Sequence, residues 1–142
     1  FDPTETYVVP RAETPAPYLN FAPLQNSLAR LQESTRNYQA ATARLAAQNG
    51  QLSREAQVRL DDVLMKVERA MTRGEGLPRR PWFKHQIYAP GFYTGYGVKT
   101  LPGVREAVEQ HDWKEAEAQV TIVASALERV AAEIERAAAL LQ

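Results

Sequence analysis

The chain has 142 residues, of which 44% are hydrophobic, so it is long and apolar enough to bury the core of one domain. Its 17 basic residues balance its 17 acidic residues, and a chain without net positive charge is a poor candidate for a nucleic-acid binder. The sequence contains no cysteine, and this absence excludes disulfides and thiolate zinc sites. It also contains no apolar run of about 18 residues that could span a membrane.

Residues 1–17 are rich in proline, which fixes φ and removes a backbone donor. This composition predicts an extended linker or a junction to another domain rather than a helix or a strand. Because the sequence starts at Phe1 without an initiator methionine, we expect the chain to be a piece of a longer protein. Residues 18–142 are then predicted to form one helical domain.

The first helix is predicted from Asn20 to about Gln48. Pro23 fits the first turn of a helix, and Asn49-Gly50 supplies a stop because both residues tolerate the left-handed conformation. The helical period is carried by apolar residues at steps of three, four or seven, namely Phe21, Leu24, Leu28, Leu31, Tyr38 and Leu45.

The second helix is predicted to follow an N-cap at Ser53 and to end at Arg73, with Gly74 as its terminator. Glu55 lies in the first turn, where the helix dipole favours a negative charge. The predicted buried face consists of Ala56, Leu60, Val63, Leu64, Val67, Ala70 and Met71.

A short third helix is predicted from Thr100 to His111, with Pro102 near its start. Its predicted inward residues are Val104, Ala107 and Val108.

The fourth helix is predicted from Trp113 to Leu141. Asp112 is its expected N-cap, and Glu115 is expected to reach back to the cap as in a capping box. Its apolar stripe alternates steps of three and four, and alanines that permit close helix approach widen it. The stripe consists of Trp113, Ala116, Val120, Val123, Leu127, Val130, Ile134, Ala137 and Leu141, and the alanines are Ala124, Ala131 and Ala138.

Four amphipathic helices predict an all-α fold, an up-down-up-down four-helix bundle with a long irregular loop between the second and third helices. The loop includes LPRRPWFKHQIYAPGFYTGYGVKTLPG, residues 77–103. Loops beyond about 12–15 residues are usually functional or disordered, and the many large aromatic residues here argue against disorder. HQIYAP alternates like a short strand. Two readings stay open: the aromatic residues cover one end of the bundle, or they form a functional surface.

The sequence lacks the motifs of common catalytic sites. It contains no GxSxG elbow, no GxxxxGK[ST] loop, no GxGxxG after a strand, no HExxH and no Glu-x-x-His of a di-iron bundle. His85 and His111 lie in unlike segments, and we interpret both as ordinary polar or packing residues. We therefore predict no catalytic residue, no metal ligand and no cofactor in this chain.

The stretch GLPRRPWFKHQIYAPGFYTGYGVKTLPGVREAV resembles the C-terminal helical domain of glutamate carboxypeptidase II and its relatives, the transferrin-receptor-like dimerisation domain. The resemblance covers about residues 18–141. Its specific features are GLP at 76–78, Arg80-Pro81 before aromatic residues, His85, the IYAP core at 87–90, Tyr96 and Pro102-Gly103.

This resemblance implies a parent protein with a two-zinc peptidase domain and a protease-associated domain, so zinc is expected outside this chain. In such relatives the helical domain contributes to a homodimer. Its long loop faces the substrate pocket of the catalytic domain and offers a Lys-Tyr pair to the terminal glutamate carboxylate of the substrate. The resemblance also favours a periplasmic or secreted location.

Aligned on IYAP and LPG without gaps, that Lys-Tyr pair falls on Gly95 and Tyr96. The tyrosine is kept, and its hydroxyl could donate to a carboxylate. The lysine is replaced by Gly95, which carries no charge, and Lys99 lies four residues further on as a substitute. The resemblance thus marks Tyr96 and Lys99 as substrate-binding candidates and leaves a preference for glutamate open.

Three hypotheses follow for the function. The leading one is a dimerisation and substrate-loop domain of a zinc-dependent glutamate carboxypeptidase-like peptidase, not catalytic by itself. Its partners are a second copy of the chain, the catalytic domain of the parent and a peptide substrate. The alternative is a non-enzymatic, receptor-like interaction module of the same fold. The third is an unrelated free-standing helical bundle whose loop is only a cap.

Overall fold

The computed structural model describes Thr4, Val8, Pro10, Ala12 and residues 14–142. Most of the proline-rich linker predicted at 1–17 therefore lies outside the described residues, and its boundary with the domain stays a prediction. No helix in the described part of the chain is long and apolar enough to cross a membrane. The elements in chain order are α1 (Ala22–Ala47), α2 (Arg54–Ala70), β1 (Tyr88–Pro90), β2 (Val98–Thr100), α3 (Pro102–Glu109) and α4 (Trp113–Ala139).

The α4 helix is the centre of the domain, because α1, α2 and α3 each pack against it. Every residue of its predicted apolar stripe is buried or half-buried, and the three alanines that widen the stripe are buried as well. On one side Val120 and Val123 join Val104 of α3 in the main apolar cluster. The predicted amphipathic face of α4 is thus confirmed.

The α1 helix contacts α4 through small residues, which differs from the prediction. Its buried positions are Ser27, Ser34 and Ala41, spaced seven residues apart. Small side chains at the contact let two helix axes approach closely, so the larger apolar residues lie beside the contact rather than in it. Of the six residues predicted as the buried face, Phe21 and Leu28 are exposed and the others are half-buried.

The direction of α1 contradicts the up-down-up-down order. Near the start of α1, Leu24 packs against the cluster of Val120 and Val123. Further along α1, the hydroxyl of Ser34 donates to Glu135 of α4 at 2.9 Å. Contacts therefore advance in the same direction along both helices, and α1 is parallel to α4, whereas the predicted order makes them antiparallel.

The predicted order counts α3 as a full pass along the bundle, but α3 has only eight residues and packs at the end of the domain where α4 begins. The loop stays at that same end, since Arg79 binds Glu115.

The α2 helix runs antiparallel to α4 along another side. Arg129 of α4 donates to the carbonyl oxygens of Ala70 and Thr72, both at 3.2 Å, and so caps the end of α2. This end comes before the predicted one at Arg73, because the amide of Arg73 donates to the carbonyl of Lys84 instead of continuing the helix. No residue of α2 is fully buried, and Leu64 of its predicted face is exposed.

A two-stranded antiparallel sheet interrupts the predicted irregular loop, so the fold is mostly helical rather than purely α. The sheet pairs β1 with β2 in the register Tyr88↔Thr100, Ala89↔Lys99 and Pro90↔Val98. Pro90 is tolerated because it ends a strand at the edge of a sheet. The strand-like alternation of HQIYAP is confirmed at Tyr88–Pro90.

Both predicted helix N-caps are confirmed, and the capping box is not. Ser53 accepts from the amide of Ala56 at 3.1 Å, and Asp112 accepts from the amide of Glu115 at 2.9 Å. The amide of Asp112 donates to the carbonyl of Ala107, so it is not free for the carboxylate of Glu115. That carboxylate binds Arg79 instead.

Candidate functional site

The aromatic loop, residues 71–101, is folded by its own backbone hydrogen bonds. In its first half, the amide of Gln86 donates to Met71, that of Arg73 to Lys84 and that of Leu77 to Phe83, each at 2.9 Å. In its second half, the amide of Gly91 donates to the carbonyl of Gly97 at 2.9 Å and closes the β1–β2 hairpin. Ile87 lies between the halves and packs against the main apolar cluster. The loop is therefore a fixed part of the domain.

A tight turn at the start of the loop depends on glycine. Gly76 has a φ of 72°, in the left-handed region that disfavours side chains. A Cβ atom at this position would also overlap the backbone of Pro81. Gly76 thus lets the chain turn back closely enough for Leu77 to pair with Phe83.

A buried ion pair fastens both halves of the loop to α3. Arg80 donates to Glu106 at 2.6 Å, and the two side chains are only 3% and 5% exposed. The second oxygen of Glu106 accepts from the amide of Phe92 at 2.7 Å, and Arg80 also donates to the carbonyl of Pro90. The guanidinium lies 5.6 Å and 5.7 Å from the ring centres of Phe83 and Phe92. Hydrogen bonds and aromatic contacts together offset the cost of burying two charges.

Sequence reasoning missed the role of Glu106. The residue belongs to a short helix whose inward positions were predicted as Val104, Ala107 and Val108, and both Val104 and Ala107 are buried. A glutamate between two inward residues was the available signal, since buried carboxylates are rare unless paired. The partner of Glu106 is Arg80, which belongs to the Arg80-Pro81 feature of the loop motif.

Two further basic residues of the loop, Arg79 and Lys99, form ion pairs with glutamates. Arg79 donates to both carboxylate oxygens of Glu115, at 2.8 Å and 3.2 Å, and this contact raises the pKa of Arg79. Lys99 forms an ion pair with Glu109, which also accepts from Arg105 at 3.1 Å. The hydrogen bond from Lys99 is the main cause that lowers the pKa of Glu109.

Large aromatic side chains cover the outer surface of the loop. Trp82 and Tyr93 are 68% and 73% exposed, and Tyr96 is fully exposed. Trp82 and Tyr96, but not Tyr93, line a shallow cavity of about 540 Å³, here called the aromatic cavity. It is lined by Arg80, Trp82, Phe83, Pro90, Gly91, Phe92, Gly95 and Tyr96.

The two predicted substrate-binding residues lie in different surroundings. Tyr96 lines the aromatic cavity with its side chain in the open. Lys99 is not a lining residue; it is only 8% exposed, and its ammonium is held by Glu109. Gly95, where the resemblance implies a lysine, has a φ of 58° with open space where a Cβ would lie.

His85 takes part in a polar cluster between the loop and α2. Its Nδ1 accepts from the amides of Ile87 and Tyr88, at 3.2 Å and 3.3 Å. The hydroxyl of Tyr88 donates to Glu68 at 2.9 Å, which raises the pKa of Tyr88. His85 Nε2 lies 3.2 Å from the same carboxylate without hydrogen-bonding geometry. Within the described residues no three His, Asp or Glu side chains come together to hold a metal ion, so a zinc site does not fit there.

The sequence of residues 19–135 matches the family described as the transferrin receptor-like dimerisation domain. The chain belongs to this family. The resemblance noted in the aromatic loop is therefore confirmed, and the match extends from the start of α1 to near the end of α4.

Curated relatives of this dimerisation domain are probable glutamate carboxypeptidases. One from Arabidopsis thaliana is 40% identical over 75 residues, which are 48% of this chain and 11% of the relative. Another from the same plant is 32% identical over 83 residues, 58% of this chain and 11% of the relative. One from Arthroderma benhamiae is 50% identical over 34 residues, 24% of this chain and 5% of the relative. The chain thus matches about a tenth of the length of the two plant proteins.

Proposed function

We propose that this chain is the dimerisation and substrate-loop domain of a zinc-dependent glutamate carboxypeptidase-like peptidase and is not catalytic by itself. Its family and the names of its relatives support a peptidase parent. The described residues offer no zinc site, so the metal and the bond-breaking chemistry are assigned to another domain of the parent.

The observation that carries the proposal is the position of Tyr96. Its phenol is fully exposed beside the aromatic cavity, although it stands on a loop that is fixed to α3 through Arg80 and Glu106. A substrate carbonyl or carboxylate that accepts from this hydroxyl has to order one tyrosine side chain but not the loop that carries it. A loop that served only to cap the helices would instead turn its aromatic residues inward, where burial stabilises them.

Lys99 has a conditional place in the proposal. To contact a substrate, its ammonium has to leave Glu109, and the side chain has to emerge from a nearly buried position. The proposal therefore depends on Tyr96, and the role of Lys99 stays a prediction. Lys99→Met in the full-length protein tests it, since loss of a substrate contact raises KM whereas loss of the ion pair lowers only stability.

We further propose that self-association uses the outer faces of α1 and α2. Leu28, Val58 and Met65 on these helices are 46%, 59% and 66% exposed, and each is apolar. Covering such residues with a second copy removes them from water, at about 25 cal/mol per Å² of apolar surface. Sedimentation equilibrium on the full-length protein tests this, with Met65→Glu expected to weaken the dimer and the exposed-site change Glu117→Gln on α4 expected not to.

The decisive experiment for the substrate loop is Tyr96→Phe in the full-length protein. Removal of one hydroxyl that binds substrate is expected to raise KM by about three- to tenfold while the melting temperature stays unchanged. Tyr93→Phe is the matched control, because Tyr93 is similarly exposed but does not line the aromatic cavity. An unchanged KM in Tyr96→Phe, or the same rise in both variants, contradicts the role of the loop in substrate binding.

The receptor-like alternative makes a different prediction for the same parent protein. The family is named after a receptor. The described residues form no cluster that could hold a metal ion, and this suits a non-enzymatic module as well as it suits the peptidase domain proposed above. Zinc analysis of the full-length protein separates the two hypotheses. About two zinc ions per chain support the peptidase, and none supports the receptor-like module.

A further inference from the structure

The turn that follows α1 contains the dipeptide Asn49-Gly50, and both residues are exposed. Asn49 has a φ of 49°, in the left-handed region that often follows the last residue of a helix. The backbone amide of Asn49 donates to the carbonyl of Ala46 at 3.1 Å, and that of Gly50 donates to the carbonyl of Leu45 at 2.9 Å. The end of α1 therefore holds the backbone of this turn and leaves the side chain of Asn49 in water.

Asparagine is a thermolabile residue, and one that precedes glycine is able to lose its side-chain amide without an enzyme. The backbone nitrogen of the glycine gives up its proton to hydroxide and forms a bond to Cγ of the asparagine. The bond from Cγ to Nδ2 breaks, and the leaving nitrogen takes a proton from water and departs as ammonia. Water then opens the resulting five-membered ring at either of its carbonyl groups, which yields aspartate or isoaspartate. The overall reaction consumes water and releases ammonia, with no oxidant or reductant.

Glycine distinguishes Asn49 from Asn20, Asn26 and Asn37, which precede phenylalanine, serine and tyrosine. A side chain on the following residue shields its backbone nitrogen, whereas glycine leaves that nitrogen open and lets the chain bend into the ring. Asn26 and Asn37 also lie inside α1, where the next backbone amide is bonded within the helix. The side-chain oxygen of Asn20 accepts from the amide of Ala22 at 3.0 Å. Sequence and structure thus both favour the reaction at Asn49.

The hydrogen bond from Gly50 to Leu45 restrains the reaction in the folded chain. While the amide of Gly50 donates to this carbonyl, its proton is withheld from hydroxide and its nitrogen is not free to attack. The last turn of a helix opens at a small cost in free energy, because its end is open to water. Each opening frees the amide of Gly50, so fraying of α1 sets the rate.

We propose that Asn49-Gly50 is a site of spontaneous deamidation that loosens the last turn of α1 as the protein ages. Both products place a carboxylate beside the C-terminal carbonyls of α1, where the helix dipole disfavours a negative charge. Isoaspartate also brings its Cβ into the main chain, and this extra atom displaces the amide of Gly50 from the carbonyl of Leu45. The unmodified turn is thus stable while α1 is closed, and its modification favours further opening.

The test follows the full-length protein during weeks at neutral pH and physiological temperature. Trypsin cuts after arginine, which places Asn49 in the peptide of residues 45–54 and Asn37 in that of residues 37–44. Mass spectrometry of both peptides measures deamidation, and samples taken at the start correct for the digestion itself. We expect Asn49 to react at least about tenfold faster than Asn37. Equal rates at the two asparagines overturn the inference.

Three variants test the mechanism. Gly50→Ala shields the attacking nitrogen and is expected to slow deamidation by about tenfold or more. Ala47→Gly weakens the last turn of α1 and should speed it about two- to fivefold. Ala22→Gly, the same change at an exposed position at the other end of α1, is the control and should leave the rate unchanged. An unchanged rate in Ala47→Gly, or the same rise in both helix variants, overturns the control by the end of α1.

Hydrogen exchange of backbone amides tests the structural consequence. Exchange in the last turn of α1 is expected to be about two- to fivefold faster in aged protein than in fresh protein. Asn49→Gly keeps a residue that accepts the left-handed conformation but has no side chain to react, so its aged and fresh samples should exchange alike. Equal exchange in aged and fresh samples of the unchanged sequence, at complete deamidation of Asn49, overturns the proposed loosening.

Discussion

Arg80 and Glu106 form an ion pair that is almost completely buried, with the donor nitrogen 2.6 Å from the carboxylate. The residues are 26 positions apart in the sequence and belong to different elements, the aromatic loop and α3. Because Glu106 also accepts from the amide of Phe92, one carboxylate holds both halves of the loop. The surface that displays Tyr96 therefore depends on a contact beneath it.

Loss of Glu106 should destabilise the domain strongly. Glu106→Ala leaves the charge of Arg80 buried without a partner and the amide of Phe92 without its acceptor, which is expected to cost about 3–5 kcal/mol. Urea denaturation of the 142-residue chain measures the change. Glu55→Ala removes an exposed i,i+4 pair with Arg59 and should cost far less. Equal losses in the two variants contradict the structural role of the buried pair.

The glycines of the loop should differ sharply in their tolerance of alanine. Gly76 combines a φ of 72° with backbone atoms of Pro81 in the place of a Cβ, so Gly76→Ala is expected to cost more than about 2 kcal/mol. Gly95 has a φ of 58° but open space, and Gly95→Ala should cost about 1 kcal/mol. Gly74 has neither constraint, and Gly74→Ala should change little. The order of the three melting temperatures checks the prediction, and any other order contradicts it.

The close contact between α1 and α4 should not tolerate a larger side chain. Ala41 is 1% exposed at this contact, so Ala41→Leu forces the helices apart and is expected to cost about 1–3 kcal/mol. Ala43→Leu, two residues further along α1 at an exposed position, is the matched control. Chemical denaturation of both variants gives the comparison. If Ala41→Leu is as stable as Ala43→Leu, the contact is looser than the structure shows.

Stability should fall in acid partly through Glu135. The hydrogen bond from Arg30, together with one from Ser34, lowers the pKa of Glu135 below its usual 4.5. A carboxyl with a lowered folded-state pKa contributes stability that is complete above its unfolded-state value and is lost as the pH falls through the folded one. We therefore expect Glu135→Gln to lose less stability than the original chain between about pH 5 and about pH 3.

Glu117→Gln on the same helix serves as the control for this acid dependence, because Glu117 is exposed. Its stability should follow that of the original chain as the pH falls. Parallel pH profiles for Glu135→Gln and the original chain contradict the assignment of acid sensitivity to the contact with Arg30.

The sequence was sufficient to predict α4 and the starts of α2 and α4, whereas Thr100, the predicted start of α3, is the last residue of β2. The stripe from Trp113 to Leu141 has a period that only a helix satisfies, and it lies inward along its whole length. Ser53 and Asp112 cap their helices as predicted, because capping depends on neighbours three residues away. The resemblance in the loop motif also led to the correct family.

Features that depend on distant neighbours were not predictable in the same way. The contact face of α1 is set by Ser27, Ser34 and Ala41, which hydrophobicity alone does not mark as buried. Glu115 has the spacing of a capping box with Asp112. In the structure, however, the amide of Asp112 donates to the carbonyl of Ala107, and the carboxylate of Glu115 accepts from Arg79. Arg80 and Glu106 are buried because they meet each other, and no local pattern contains both.

The parallel pairing of α1 with α4 has a consequence for how the chain reaches its native state. Residues in contact, such as Ser34 and Glu135, are 101 positions apart, and every extensive contact between described helices includes α4. Contacts this distant in sequence close large loops and slow folding. During synthesis, the ribosome makes α4 after α1, α2 and the aromatic loop. Until then these elements lack the helix against which they pack in the folded domain. Their apolar residues are exposed to association with other chains during this interval, so chaperone dependence is expected to be greatest just before synthesis of α4 is complete.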